Sequence, residues 1–292
     1  MKIVYFNRPS RSQKFLVAYL ILVIIAAILI FLYLANEYVQ VMATHRLVPI
    51  YEVRTNRQEL SLTFDISWGH ASAPPILKVL RDNKIRATFF LSGPWIEVHP
   101  EIAQQIKADG HEIASHGDRH INYSTLPKHL IIEEIMTAHK SIKQVAGVDA
   151  SLIRAPNGDY NDLVIEAATD MNYKVIQWSV DSLDWKNPGV DYMVDRVLSL
   201  AHPGAIILMH ASDSCKQTSD ALPRIIAGLK GKGFRFVTVS ELLAGSRSNK
   251  VKLRRGAPSP GESRSGDDGR SRGLWPVFGR RLLQDLLTTE GP

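Results

Sequence analysis

Glu112-Ile113-Ala114-Ser115-His116-Gly117-Asp118-Arg119-His120 passes from a short apolar run straight into a polar turn with two imidazoles four positions apart. On a helical turn, residues four apart share a face, so both rings can close on one cation. The pattern of apolar run and polar exit recurs along the chain. Apolar runs at 60–66, 86–91, 111–114, 151–154, 173–177, 205–209 and 235–238 alternate with amphipathic stretches at 73–83, 99–109, 128–146, 161–171, 190–200 and 219–230. Strand and helix in alternation predict an α/β fold of parallel strands with helices packed outside. Seven such strands suit an open doubly wound sheet or an incomplete barrel. In both, reactive groups collect at the carboxyl ends of the strands. Asp65, the pair His116 and His120, Arg154, the pair Asp181 and Asp184, and His210 all stand at such exits. No G-x-G-x-x-G or G-x-x-x-x-G-K-[ST] follows the first run, which argues against a nucleotide cofactor.

At 292 residues and 45% hydrophobic, the chain can bury a full core. Its net charge of +6 belongs to the ends. The first fourteen residues carry four basic and no acidic side chains, and residues 245–292 carry ten against five, which leaves the middle at −3. The basic balance therefore describes tails and argues against nucleic-acid binding by the folded part. Phe15 to Leu34, FLVAYLILVIIAAILIFLYL, holds no charge, Gly or Pro over twenty residues, enough for a helix to cross a bilayer. It reads as a membrane anchor or an uncleaved signal. The preceding basic residues place residues 1–14 in the cytoplasm and everything after the span outside. Cys215 is the one cysteine, so no internal disulfide is available.

These features divide the chain into a basic cytoplasmic segment (1–14), a transmembrane helix (15–34), a stalk (35–58), a folded domain (59–243) and a basic tail (244–292). The tail is rich in Gly, Ser, Arg and Pro and is expected to be mostly disordered. Within it, GRRLLQDLL (279–287) has the makings of a short amphipathic helix, though one too short to be stable alone.

Five motifs occur in order: Thr63-Phe64-Asp65, His116-x-x-x-His120, Arg154-Ala155-Pro156-Asn157-Gly158, Asp181-Ser182-Leu183-Asp184-Trp185 and Leu208-Met209-His210. The set resembles the NodB-type polysaccharide deacetylases, carbohydrate esterase family 4, from about Gln58 to Leu243. LTFDISWG, ATFFLSGPW, DGHEIASHG, RAPNG, NPGVD and MHASDSCKQT are similar to the PdaB-like sporulation branch of that family. The resemblance implies a distorted (β/α)7 barrel that hydrolyses N-acetyl groups of a cell-wall glycan, peptidoglycan or chitin-like. It implies that His116 and His120 hold a divalent metal, most plausibly Zn²⁺, which polarises the carbonyl and acidifies water. Asp65 then matches the base, Arg154 the residue that holds the base, and His210 the acid that protonates the leaving amine. Asp181 or Asp184 would orient that acid. The backbone N–H of Asn157 would help hold the oxyanion, with Trp185 and Leu208 as pocket walls.

The chain departs from the family pattern next to Asp65, where a second, metal-binding aspartate is usual and Ile66 stands instead. Strand alternation turns Ile66 away from Asp65's face. His70 is one candidate for the missing ligand, and Asp65 itself is another. Gly117 stands where the family usually has Ser or Thr. A second reading follows from Ile66: a catalytically weak or inactive relative that binds glycan or assists wall or spore assembly.

Overall fold

The computed structural model describes residues 11–44 and 47–245. The elements in chain order are α1 (Arg11–Thr44), β1 (Glu59–Ile66), α2 (Ala73–Asp82), β2 (Thr88–Leu91), α3 (Gly93–Val98), α4 (Pro100–Ala108), β3 (Glu112–Ser115), α5 (Lys128–Ala146), β4 (Leu152–Ile153), α6 (Asp162–Asp170), β5 (Lys174–Val175), β6 (Val180–Asp181), α7 (Val190–Leu200), β7 (Ile206–His210), α8 (Thr218–Gly231), β8 (Arg235–Phe236) and α9 (Val239–Ala244). Within α1, Lys14–Ala35 is long and apolar enough to cross a membrane, and none of it is buried. Residues 1–10 and 246–292, which include most of the basic tail and the 279–287 segment, lie outside the described residues.

The strand order β5-β4-β3-β2-β1-β7-β6, with all strand pairs parallel, decides between the two architectures left open by the sequence. Neighbours in sequence are neighbours in the sheet, and β7 returns to β1. That cyclic order is a barrel's, opened between β5 and β6, and a doubly wound sheet would change direction at a switch point instead. β8 pairs with the first residues of β1.

Alternation along β1 sets the layers. Leu60, Leu62, Phe64 and Ile66 enter the main core with helix residues such as Ile76, Leu80, Ile135 and Ile225. Thr63 and Asp65, on the other face, meet Arg154 inside the barrel. The expected helix over 99–109 is α4, and a short unexpected helix, α3, precedes it; the two are separate because the residue before Pro100 is pushed out of helical geometry: His99 has φ −124° and ψ 55°. β6 was not expected, since Val180 stands alone among polar residues, Ser179, Asp181 and Ser182, and makes no apolar run.

The stalk over 35–58 needs correcting. Helix α1 runs on to Thr44, and the chain is already part of the folded domain by Val48. Val48, Ile50 and Val53 are buried, Ile50 bridges Ile176 in parallel, and Glu52 bridges Ala205. These apolar residues fill the wall near β5 and β7, a role visible only once the barrel's gap is known.

His111, just after α4, is buried against Phe89. Its Nδ1 accepts the Ala87 N–H at 3.1 Å, which leaves the proton on Nε2, a buried atom with no partner. Burial, the main influence, holds its pKa down to about 4. A histidine depressed in the folded state stabilises in full above its unfolded value of 6.5, and that stability is lost as pH falls towards about 4. Urea midpoints should therefore drop between pH 7 and pH 4.5, roughly the window set by linkage. The drop should be smaller in His111→Leu; an equal drop would show that this imidazole is not held neutral.

Candidate active site

Arg154 leaves β4 and its side chain is wholly buried. Its Nη1 donates to Asp65 Oδ1 at 2.7 Å and Thr63 Oγ1 at 2.9 Å, and Nη2 donates to the Gln177 carbonyl at 3.0 Å. Its guanidinium lies over the Phe90 ring, 4.1 Å from the centroid. Thr63 Oγ1 passes its own proton to the Ile207 carbonyl at 2.7 Å, so strands β1, β4 and β7 are tied through one side chain. Burial alone would raise the Asp65 pKa. Arg154, followed by His116 and His210, outweighs it and holds the carboxyl below its usual range, hence ionised.

Ser115 in β3 is in register with Ile153 in β4, so His116 and Arg154 are the next pair beyond the strand ends. His116 Nδ1 lies 2.8 Å from the Arg154 carbonyl. A carbonyl only accepts, so Nδ1 carries the proton. Burial keeps the ring neutral despite the pull of Asp65, and Nε2 is left as a lone pair 3.8 Å from Asp65 Oδ2. Two acceptor atoms facing each other at that distance are both within reach of one small cation. The His120 ring stands 5.4 Å from that of His116, and its pKa is held down to about 4, chiefly by burial and then by His116. The Arg154 carbonyl orients His116 from behind, as an outer partner does for a metal-ligating imidazole. Among the described residues, the group of three donor atoms lying within 4.8 Å of one another is Asp184, His210 and Cys215, and His120 is not drawn into such a group with His116 and Asp65.

His70 does not join this group. Its ring packs on His99 at 5.5 Å and its backbone N–H goes to Asp213, because the loop after β1 turns away at Gly69. Asp65, not His70, faces the His116 imidazole. Gly117 has a physical reason too. It sits at φ +75°, and a Cβ there would lie 2.0 Å from the Tyr123 hydroxyl. A serine or threonine at this position is incompatible with Tyr123.

His210 ends β7 and is in register with Asp65 in the neighbouring strand. Asp184 holds it twice: Oδ1 lies 2.7 Å from Nδ1, and Oδ2 accepts the His210 N–H at 2.7 Å. Thr218 Oγ1 donates to Oδ2 at 2.8 Å. Burial would lower the His210 pKa, but the charge and hydrogen bond of Asp184, with Asp65 and Asp181 behind, raise it above the usual value. Of the two aspartates offered by the sequence, the one that orients His210 is Asp184. Asp181 is raised by burial and accepts the Leu183 N–H at 2.7 Å. Leu183 between them has φ 59°, a bulky residue in the left-handed region at a cost of about 1–2 kcal/mol. Cys215 Sγ lies within 4.8 Å of the Asp184 and His210 donor atoms. Burial pushes its thiol up to about 12, so it stays protonated.

Trp185 is half exposed beside the site, with Lys186 Nζ 4.7 Å over its ring. Leu208 is buried within β7. Asn157 has φ 60° and gives its side-chain amide to Asn122. The residues missed from sequence are supports: Thr63, Gln177 and Thr218 each satisfy a catalytic candidate, yet a lone hydroxyl or carbonyl has no pattern to find.

A family profile for polysaccharide deacetylase matches residues 52–176. A peptidoglycan-N-acetylglucosamine deacetylase of Bacillus cereus is 34% identical over 67% of this chain and 72% of its own length. The chain belongs to the polysaccharide deacetylase family. The uncharacterised protein YlxY of Bacillus subtilis is 33% identical over 68% of this chain, which spans 61% of that protein. Among solved structures, BA3943 of Bacillus anthracis, described as a CE4 family pseudoenzyme, is 33% identical with a TM-score of 0.65, over 69% of this chain and 70% of the other. A mutant of it described as having restored enzymatic activity is equally similar in fold, at 34% identity and a TM-score of 0.65, covering 69% of this chain and 73% of its own.

Against this family pattern, Ile66 is fully buried in the core layer beside the helices. The Asp65–Arg154 pair is a buried charge pair, and removing one partner strands the other. Arg154→Ala and Asp65→Asn are each expected to destabilise by about 3–5 kcal/mol. The double variant should lose less than the sum of the two in urea unfolding, and full additivity would show that the pair is not coupled.

Proposed function

We propose that this chain is a membrane-anchored, metal-dependent N-deacetylase of an N-acetylated cell-wall glycan. The observation that carries the reading is the facing pair of His116 Nε2 and Asp65 Oδ2, 3.8 Å apart, with His210 in register beside Asp65. His116, His120 and Asp65 are the residues to hold a divalent ion, zinc by donor type, which when bound polarises the acetyl carbonyl and acidifies water. Arg154 fixes Asp65 so that Oδ1 is spent on the guanidinium and Oδ2 is turned toward His116, where it would help hold the ion and take the proton of the attacking water. As water adds to the acetyl carbon its proton passes to Asp65, and His210, kept charged by Asp184, gives its proton to the amine as the C–N bond breaks and acetate leaves. Asn157, Asp181 and Trp185 border the acetyl group, and Leu208 backs the wall from within β7. Helix α1 supports anchoring, with the domain outside the membrane. The segments LTFDISWG and MHASDSCKQT support a setting in the sporulating wall.

A second reading, a glycan-binding relative without turnover, is favoured by Ile66 and by the likeness to BA3943, which is described as a pseudoenzyme. The two are separated by zinc content and acetate release from the full chain, recovered from carbonate-washed membranes and extracted in detergent. Bound zinc and acetate release from peptidoglycan or chitooligosaccharide, both lost in His116→Ala, are the expected results. A protein that takes up no metal, with the variant releasing as much acetate as the parent, leaves the second reading.

The acid has its own signature. His210 is protonated up to its raised pKa, so its loss sets the alkaline limb of kcat/KM. In Asp184→Asn the negative charge is gone, and that limb should move to lower pH. An unmoved limb would assign it to another group.

A further inference from the structure

Outside α1, only two tryptophans among the described residues are substantially exposed, Trp68 and Trp185, and both lie on loops at the carboxyl ends of the strands. Trp68 follows β1 by two residues and is 40% exposed. An exposed indole on a slack loop would be unremarkable, but this loop is fixed on every side. Trp68 Nε1 donates to Ser214 Oγ at 3.2 Å, and the Trp68 carbonyl accepts the Asp213 N–H at 3.3 Å. The Asp213 carboxylate accepts the backbone N–H groups of His70 and Ser72, at 3.1 and 2.8 Å. Gly69 lies at φ +76° so close to Asp213 that a Cβ would be 2.2 Å from its Cγ, and its carbonyl takes the Trp95 indole N–H at 2.6 Å.

Two relations place the indole functionally. Its ring meets that of His120 edge-on, centroids 5.2 Å apart, so it borders the cation-binding pair directly. Ser214, which takes its N–H, also accepts the Asn187 side-chain amide N–H on its carbonyl at 2.9 Å, tying the Trp68 loop to the turn that carries Trp185. A rigid aromatic surface held at the rim is the pre-organised form of a stacking site, where little entropy is lost on binding. Sugar rings offer apolar C–H faces to such surfaces, and a single N-acetyl sugar in the site cannot also cover a second platform.

We propose that Trp68 is a stacking platform for a sugar ring next to the one whose N-acetyl group enters the site, so that the chain selects an extended N-acetylated glycan over a monosaccharide. The inference rests on the glycan reading of the site, but not on turnover. The test is calorimetric titration of the full chain in detergent with tetra-N-acetylchitotetraose and with N-acetylglucosamine, for the parent, Trp68→Ala and Trp68→Phe, with zinc content measured in parallel. Trp68→Ala should weaken tetramer binding by about tenfold, leave monomer binding and zinc content unchanged, and be largely rescued in Trp68→Phe. The proposal is overturned if the parent does not bind the tetramer or if Trp68→Ala binds it as tightly as the parent. It is also overturned if zinc uptake and binding of both sugars fall together, the mark of a prop for His120. Acetate release is read separately: a parent that binds the tetramer without releasing acetate defeats the hydrolase reading and leaves the platform standing.

Discussion

A guanidinium buried in the middle of a barrel must be matched, because stripping its water costs several kcal/mol unless a partner charge and hydrogen bonds replace it. Arg154 is such a group, and much of the site follows from how its demand is met. Its side chain takes Asp65, Thr63 and the Gln177 carbonyl, joining the exits of β1 and β4 and the link after β5. Its backbone carbonyl takes the His116 Nδ1 proton. One residue therefore keeps the carboxylate charged and chooses the tautomer of the imidazole that faces it.

The acid is built separately. Asp184 satisfies His210 through both oxygens and is itself held by Thr218 and by the turn at Leu183. Nothing in that set depends on Arg154. The two halves meet only because β7 closes the strand order onto β1, which puts His210 opposite Asp65. Fold and chemistry are joined at that register. A shift of one residue would turn the odd positions of β1 toward the helices and bury Asp65 where Phe64 now packs.

The alternation of apolar runs and amphipathic stretches made the fold legible, since every strand except β6 lies within or against an apolar run and the longer helices are long enough to show their period. The polar residues at the exits were legible for the same reason: a charged group straight after a buried strand has few structural excuses. What stayed hidden depends on contacts between distant segments. Val48, Ile50 and Val53 look like a sparse linker until β5 and β7 are seen to leave a wall open. His70 sits near Asp65 in sequence, yet the turn at Gly69 sends it to His99. The choice of Asp184 over Asp181 needs the direction of a turn whose leucine is left-handed, a conformation that sequence does not announce.

The two departures from the family pattern, Ile66 and Gly117, flank the cation-binding half, and each is locked in by packing. Ile66 belongs to the same core row as Phe64 and Leu62, so a carboxylate there would be a buried charge on the helix side of the sheet. Gly117 is held by Tyr123, whose hydroxyl occupies the space a side chain would need. Asp65 is held by Arg154 and His210 by Asp184, through bonds that involve neither Ile66 nor Gly117. The carboxylate and the acid are thus fixed by bonds that neither departure touches, and the packing that locks in Ile66 and Gly117 leaves both in place.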